Sequence, residues 1–373
     1  MTGARASFAR PTLAGLLGLV GLLALLAIGC GSDDTTPTFP DQPAPEPGLW
    51  FLGVWGSGPD DVFVVGQPGL IYHWDGAAWS REESGTTVAL TDVWGDGSGT
   101  VYATGHDGVI LRRQGGSWSA MASGTDADLF GIGNYQGTIY ACGRTDELPA
   151  LRRLAGGSWS AAANEIFVRD AEQAVSDTIY LDSDDDPSEI IESLTSVSYY
   201  GVTGADGVIL MADPETDWQL RRVLGGSEWI TCSSSAERIT GNFIATDGGH
   251  LFQLRQSEDE LLAWQERYSP ALGATVYGVY VDLADTVWVC TDDGRINRVD
   301  PDNSFHPLYA GGKLLFDIWG SSGTDLYAVG IEGRVLHFTD IGGEYQWVEE
   351  ELPLPELKSH AQPVFDKFGR PVH

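Results

Sequence analysis

Basic residues are scarce in this sequence. Its 373 residues include 21 lysines and arginines against 53 aspartates and glutamates, which gives a formal net charge of -32. A surface with that charge repels phosphate backbones and anionic lipid headgroups. The composition therefore predicts that nucleic acid is not a partner and that no basic patch docks the protein on a membrane.

Sequence signatures of catalysis are also missing. The chain after Cys30 contains no G-x-S-x-G elbow, no phosphate-binding glycine loop and no C-x-x-C zinc pair. A glycosidase needs two carboxyl groups at a fixed separation, and no pattern singles out such a pair among 53 acids. The sequence favours a non-catalytic role without a cofactor and leaves an enzyme open as the alternative.

The N-terminus, by contrast, has a clear signature. Residues 1–29 contain Arg5 and Arg10, no acid, and an apolar run from Leu13 to Gly29. This pattern predicts a signal peptide, with a single membrane-spanning anchor as the alternative. The run ends in Leu-Ala-Ile-Gly-Cys, which resembles the bacterial lipobox and implies that Cys30 is acylated. Gly31 lacks the aspartate that retains some lipoproteins at the inner membrane, which favours the outer membrane.

Residues 31–48 follow with five prolines, four acids and one aromatic residue. Such a segment buries too little apolar surface to fold, so residues 30–48 are predicted to be a lipidated cysteine and a disordered tether. Membrane contact is expected through the lipid, in the cell envelope.

A repeat begins near Leu52. Short apolar strands ending in Trp-Gly alternate with aromatic strands ending in a small residue and glycine, and clear copies recur every 38 or 39 residues. Four strand-length runs per repeat are typical of propeller blades. The sequence predicts an all-β single β-propeller of about seven four-stranded blades over residues 49–352, with six or eight as alternatives because the region 165–228 is irregular. The first and last repeats each contain their own outer and inner strands, which predicts ring closure without a swapped strand.

The matching residues include the Trp-Gly pairs at 55, 94 and 319 and the glycines that end the second strands, such as Gly105, Gly143 and Gly330. With these residues, the repeats resemble the Trp-Gly-rich propellers of predicted myxobacterial lipoproteins, and more remotely BNR-like and photosystem II assembly-factor propellers. The resemblance covers about residues 50–350 and implies a fold, not an activity. An intact Asp-box, S-x-D-x-G-x-x-W, is absent, which weakens any sialidase analogy.

Several residues are candidate sites. Trp55, Trp94 and Trp319 are predicted to form a ligand-binding rim, with packing between blades as the alternative. The alternation of Asp182, Asp184 and Asp186 allows a calcium site, but Pro187 stands where a calcium loop needs glycine, so a solvated loop is favoured.

Two further pairs look like repeat positions. His73 and His337 share a third-strand column with Arg112, Gln253 and Arg298. Cys142 and Cys290 share a second-strand column of small residues, and a disulfide between Cys232 and Cys290 stays open.

These observations predict a lipid-anchored, monomeric propeller that binds an unknown protein or polysaccharide. A propeller glycoside hydrolase or polysaccharide lyase acting on envelope glycans is the alternative. Residues 353–373 lie outside the repeats and are predicted to be a C-terminal extension.

The lipobox resemblance makes a direct prediction. Replacing Cys30 with serine should abolish incorporation of labelled palmitate in the expressing bacterium and release the protein from the membrane fraction. Cys232→Ser is the control and should keep both label and membrane attachment. Equal labelling of Cys30→Ser and the unchanged chain would contradict the prediction.

Overall fold

A computed structural model describes residues 48–145, 149–162, 165–169, 175–180, 194–198, 201–204, 208–213, 216–222, 230–234, 241–256, 262–268, 272–355, 364–365 and 371–372. Every element in these ranges is a β-strand. No helix among them has the length and apolarity to cross a bilayer. Cys30 and the three aspartates at 182, 184 and 186 lie outside the described residues.

Three antiparallel four-stranded sheets follow one another in the first part of the chain. Each is a meander in which consecutive strands pair. The strands are β1 (Trp50–Gly58), β2 (Asp61–Gln67), β3 (Leu70–Trp74) and β4 (Trp79–Glu82); β5 (Leu90–Gly95), β6 (Val101–Gly105), β7 (Ile110–Gln114) and β8 (Ser117–Met121); β9 (Asp128–Tyr135), β10 (Thr138–Arg144), β11 (Pro149–Ala155) and β12 (Ser158–Ala161).

Three more four-stranded meanders complete the second part of the chain, and a short hairpin lies near the C-terminus. The strands are β19 (Ile230–Ser233), β20 (Phe243–Thr246), β21 (Leu251–Gln256) and β22 (Leu262–Tyr268); β23 (Val276–Val281), β24 (Val287–Thr291), β25 (Arg295–Val299) and β26 (Phe305–Ala310); β27 (Leu315–Ser322), β28 (Asp325–Gly330), β29 (Val335–Ile341) and β30 (Glu344–Glu349); β31 (Val364–Phe365) and β32 (Pro371–Val372).

Between these two groups the pattern changes. One six-stranded sheet, in the order β14-β13-β18-β17-β16-β15, replaces a regular blade. Its strands are β13 (Glu165–Arg169), β14 (Val175–Tyr180), β15 (Leu194–Ser198), β16 (Gly201–Gly204), β17 (Val208–Asp213) and β18 (Thr216–Arg222). The β13-β14 hairpin joins the sheet through a parallel pairing of β13 with β18.

The prediction of about seven four-stranded blades is therefore wrong in number. The structure is a β-propeller with six four-stranded blades and one six-stranded sheet. The reason is the hairpin: β13 pairs with β18 at the outer edge of the sheet formed by β15 to β18, so that sheet has six strands instead of four.

Apolar cores lie between neighbouring blades. The second strand of a blade is covered on both faces, so runs such as Val-Tyr-Ala-Thr-Gly in β6 and Val-Trp-Val-Cys-Thr in β24 are buried throughout. One such core combines Phe51, Val64 and Tyr72 of the first blade with Tyr327 and Val329 of the last. Stability of the ring thus depends on packing between blades rather than within any one blade.

Pairs of glycines form tight turns between the third and fourth strands of some blades. Gly115 and Gly116 have φ values of 63° and 85°. Two successive residues with positive φ match the right-handed twist of a hairpin, and glycine adopts that conformation without steric cost. This explains the Gly-Gly-Ser-Trp segments that precede outer strands.

The first and last blades close the ring without exchanging a strand, as predicted. The backbone N–H of Val54 donates to Asp317 Oδ2 at 2.9 Å, and that of Gly333 donates to the Leu49 carbonyl at 2.7 Å. At the other end, the hydroxyl of Tyr72 donates to the Pro353 carbonyl at 2.9 Å. The segment after β30 thereby fastens the last blade to the first.

One glycine tests how tightly the blade connections are packed. A Cβ at Gly330 would lie 2.2 Å from the Leu314 carbonyl oxygen, which belongs to the backbone and is not free to rotate away. Gly330→Ala should lower the free energy of unfolding by about 1–3 kcal/mol in urea denaturation. Gly58→Ala is the matched control, because nothing lies within 4 Å of its Cβ. Equal losses in both variants would contradict this packing.

Candidate functional site

A cavity of about 230 Å³ lies where the inner strands of the ring meet. Residues from β1, β5, β9, β15, β19, β23 and β27 all line it. Because one strand from each sheet contributes, the cavity is a product of the whole ring and not of a single repeat.

Each inner strand has a β-bulge at its second core residue. In β1, for example, Phe51 pairs with Gly66 and Gly53 pairs with Val65, so Leu52 is left between them without a partner residue. The same register shift recurs in the other six inner strands. A bulge redirects one side chain from the regular alternation. The redirected residues all line the cavity: Leu52, Thr91, Phe130, Thr195, Thr231, Tyr277 and Phe316.

Three of the bulged residues are threonines that join neighbouring inner strands. Thr91 Oγ1 donates to the Leu129 carbonyl at 2.5 Å, and Thr195 Oγ1 donates to the Ile230 carbonyl at 2.8 Å. Thr231 makes the equivalent bond to the carbonyl of Val276. Their hydroxyl groups are therefore used to hold the ring together.

The four other bulged residues give the cavity an apolar and aromatic wall. The rings of Tyr277 and Phe316 are neighbours, with centroids 5.8 Å apart. Leu52 packs in one cluster with Phe316. On another part of the wall, the Phe130 ring meets the His106 imidazole edge to face at 6.2 Å.

Two carboxyl groups follow the bulge, one on β5 and one on β27. Asp92 Oδ2 accepts the Ile132 N–H and its Oδ1 accepts the Val93 N–H, both at 2.8 Å. Asp317 likewise accepts the N–H groups of Val54 and Ile318. Each carboxyl group thus bonds to its own strand and to the next inner strand.

The environment keeps these two acids from ionising as usual. Burial, together with the negative charge of Asp317, raises the pKa of Asp92 to about 8, although two N–H donors oppose the shift. Burial raises the pKa of Asp317 to about 6. Like-charged groups in one poorly solvated site are expected to separate in this way. Sequence reasoning missed this pair; only an alignment of the inner strands, residue by residue, could have brought Asp92 and Asp317 into one column.

The cysteines take ordinary packing positions. The column of small second-strand residues is confirmed by the register, since Cys142 pairs with Gly131 and Cys290 with Gly278. Cys232 lines the cavity, and burial raises the pKa of its thiol, so the reactive thiolate form is disfavoured. Cys232 and Cys290 carry thiols and form no disulfide in the structure.

The three predicted rim tryptophans are half-buried. A Cβ at Gly95 would lie 2.2 Å from the Trp55 indole, and one at Gly56 would lie 2.6 Å from that of Trp319. These two indoles therefore pack on the Trp-Gly glycine of the following blade. Trp94 lines the central cavity. A ligand-binding rim formed by the three stays a prediction.

His73 and His337 occupy equivalent positions in the first and last blades. Each imidazole stacks on the aromatic residue across the strand pair, Phe63 or Tyr327, at 4.2 and 4.1 Å between centroids. The register confirms the predicted column, because the other members also pair with aromatic residues: Arg112 with Tyr102, Gln253 with Phe243 and Arg298 with Trp288.

Carboxylates flank both imidazoles. His337 contacts Asp325 at 2.7 Å and Glu350 at 2.9 Å, and these hydrogen bonds and negative charges overcome the effect of burial and raise its pKa to about 9. His73 contacts Asp61 at 2.7 Å in the same way. Both histidines therefore have structural partners within their own blades. Among the described residues no group of three or more His, Cys, Asp or Glu is placed to hold a metal ion.

Two arginines that each have an arginine neighbour in the sequence, Arg113 and Arg152, also have structural contacts. Arg113 makes a bidentate ion pair with Glu82 of the preceding blade, through bonds of 2.7 and 2.8 Å, and Glu82 also accepts the Trp118 indole N–H. Burial raises the pKa of Glu82, but hydrogen bonds with His73, Arg113 and Trp118 outweigh this effect and lower the pKa to about 2. Arg152 Nε donates to the Ser123 carbonyl at 3.1 Å. Both arginines hold neighbouring blades together and neither lines the cavity.

No protein-family model and no curated protein sequence matches the chain. Solved structures match its fold. YCF48 from Cyanidioschyzon merolae is 18% identical, with 79% of this chain and 97% of that chain covered and a TM-score of 0.55. A catalytically inactive virginiamycin B lyase from Staphylococcus aureus, solved with quinupristin, is 10% identical, with 77% and 93% covered and a TM-score of 0.60. YCF48 bound to D1 peptide is 13% identical, with 79% and 95% covered and a TM-score of 0.56. These likenesses establish the β-propeller fold.

The raised pKa values predict how stability depends on pH. Asp92 and Asp317 bind protons more tightly in the folded chain than in the unfolded one, where an aspartate has a pKa of about 3.9. Between the pKa of an unfolded aspartate and the raised pKa values of these two residues, the folded state therefore holds more protons than the unfolded state. The free energy of unfolding should fall as pH rises from 6 to 8. His337, whose pKa rises from 6.5 to about 9, adds a loss of the same sign between pH 6.5 and 9.

Urea denaturation at pH 6, 7, 8 and 9 measures this trend. Asp92→Asn should flatten the slope between pH 6 and 8, which reaches at most about 1.4 kcal/mol per pH unit for one proton. Asp107→Asn is the control: Asp107 is exposed at φ 52°, a conformation that asparagine tolerates. A free energy of unfolding that is constant from pH 6 to 8 would contradict the assignment.

Proposed function

We propose that this chain is a lipid-anchored β-propeller of the cell envelope that binds a protein or polysaccharide partner without transforming it. Cys30 would carry the lipid, residues 31–48 would form the tether, and the outer membrane is the favoured location. The observation that supports binding is the cavity wall, to which Leu52, Phe130, Tyr277 and Phe316 contribute apolar surface. Concave, largely apolar sites with a few polar groups are typical of ligand binding.

The use of the polar groups supports a non-catalytic role. The threonine hydroxyls bond to backbone carbonyls, and both cavity carboxyl groups accept backbone N–H groups from neighbouring inner strands. Groups used in this way stabilise the ring. A neighbour of the same fold is described as bound to a peptide, which favours a protein partner over a glycan.

One observation favours the alternative, a glycoside hydrolase or polysaccharide lyase. Asp92 and Asp317 come from different blades to one cavity and have pKa values of about 8 and 6. Two acids with separated pKa values are the usual basis of acid and base roles in catalysis. Turnover of a glycan would therefore be assigned to this pair.

The test uses the full lipoprotein in detergent, applied to a glycan array and to purified envelope proteins, with a hydrolysis assay on every hit. Binding without turnover is expected. Phe130→Ala and Tyr277→Ala should weaken it at least tenfold, about 1.4 kcal/mol, because both side chains line the cavity and are only half-buried. Trp94→Ala tests the rim prediction in the same assay.

Leu283→Ala is the control, since this leucine is 93% exposed and lies outside the cavity. Turnover that is lost in Asp92→Asn would establish the enzyme instead. Binding that is unaffected by every cavity variant would overturn the central cavity as the site.

A further inference from the structure

We propose that the central cavity binds a basic side chain, lysine or arginine, presented by a protein partner, with the stem against the aromatic wall and the cation near Asp92 and Asp317. This inference rests on the proposed function and specifies the partner of the same site.

The size of the cavity fits one side chain. Cavities of about 150 Å³ hold benzene, and this cavity of about 230 Å³ has room for a longer group. Lysine and arginine both place a polar head at the end of an apolar stem. A whole sugar chain or a helix is too large for this volume.

The wall suits such a stem. Leu52 and Phe316 are each less than a tenth exposed, and Phe130 and Tyr277 present larger accessible areas. Alkyl groups pack against these surfaces, and aromatic faces also attract ammonium and guanidinium groups. Both properties favour a cation on a carbon chain over an inorganic ion.

The two carboxyl groups supply complementary charge. Asp92 and Asp317 occupy the third core position of β5 and β27, and the strand between them has Gly53 at that position. At this position β1 has no side chain to place between the two acids, and a Cβ on Gly53 would lie only 3.0 Å from Asp92 Cα. Each carboxylate oxygen accepts one N–H and keeps lone-pair capacity for another donor.

No lysine or arginine among the described residues lines the cavity. Its titratable residues besides the two acids are His106, Cys232 and Tyr277. His106 lies 4.0 Å from the exposed Asp128. The net charge of -32 adds a long-range attraction for a basic partner.

Proton linkage follows from this arrangement. At pH 7 Asp92 and Asp317 together hold about one proton, because the pKa of Asp92 is about 8 and that of Asp317 about 6. An entering cation stabilises both carboxylates and displaces that proton. Affinity should therefore rise between pH 6 and 8 and level off above pH 8.5, since lysine and arginine stay charged throughout.

Calorimetry on the full lipoprotein in detergent tests the proposal. The probes are N-acetyl-lysine methylamide and N-acetyl-arginine methylamide, with N-acetyl-norleucine methylamide and N-acetyl-citrulline methylamide as their neutral counterparts. Each basic probe should bind at least tenfold more tightly than its neutral counterpart at pH 8. Its affinity should fall about a hundredfold from pH 8 to pH 6, because release of one proton corresponds to a tenfold change per pH unit. Two buffers of different ionisation enthalpy should report release of about one proton at pH 7.

Variants assign the effect to the acids. Asp92→Asn and Asp317→Asn should each reduce the preference for the basic probe, whereas Asp107→Asn should retain it. Proton release is measured on the unchanged chain, so it remains decisive where a variant fails to fold. Equal binding of lysine and norleucine probes, or binding without proton release, would overturn the proposal and leave an apolar binding function intact.

Two further outcomes separate other possibilities. Tighter binding of free pentylamine than of the capped lysine would assign the site to a small amine and overturn a protein partner. If none of these probes binds and the protein hydrolyses a glycan, the proposed binding function itself is overturned.

Discussion

Because seven inner strands converge on one axis, their side chains compete for very little space at the centre. The bulge at the second core residue of each strand resolves this competition. It turns one residue toward the cavity and lets the next, Gly53, Asp92 or Asp317 among them, lie against the neighbouring inner strand. The hydrogen bonds that threonine and aspartate side chains make between adjacent inner strands depend on that geometry. The bulges also decide which side chains form the cavity wall.

The packing of the outer parts of the ring uses a different principle. Aromatic residues of the second strands stack on histidine or arginine of the third, as Phe63 does on His73. Carboxylates such as Glu82 then reach arginine on the next blade. Charged groups in this layer are half-buried and paired, either within a blade, as His337 is with Asp325, or between blades, as Arg113 is with Glu82.

Much of this fold is readable from the sequence, because glycine and aromatic residues recur at fixed offsets. The columns containing Cys142 and His73 agree with the observed register. The number of four-stranded blades was not predictable, because the β13-β14 hairpin has strand-length runs yet pairs with the edge of another unit. The cavity was also hidden: its bulged residues vary among leucine, threonine, tyrosine and phenylalanine, and nothing in the chain distinguishes Asp92 and Asp317 from 51 other acids until the inner strands are aligned.

The hydrogen bond between the Tyr72 hydroxyl and the Pro353 carbonyl joins residues 281 positions apart. The bond between Val54 and Asp317 spans 263 positions. Contacts of such separation form late, because the loop they close must first be ordered by everything in between. The first blade therefore keeps one apolar face open to solvent until the last blade has formed, which makes the partly folded chain prone to aggregation through that face.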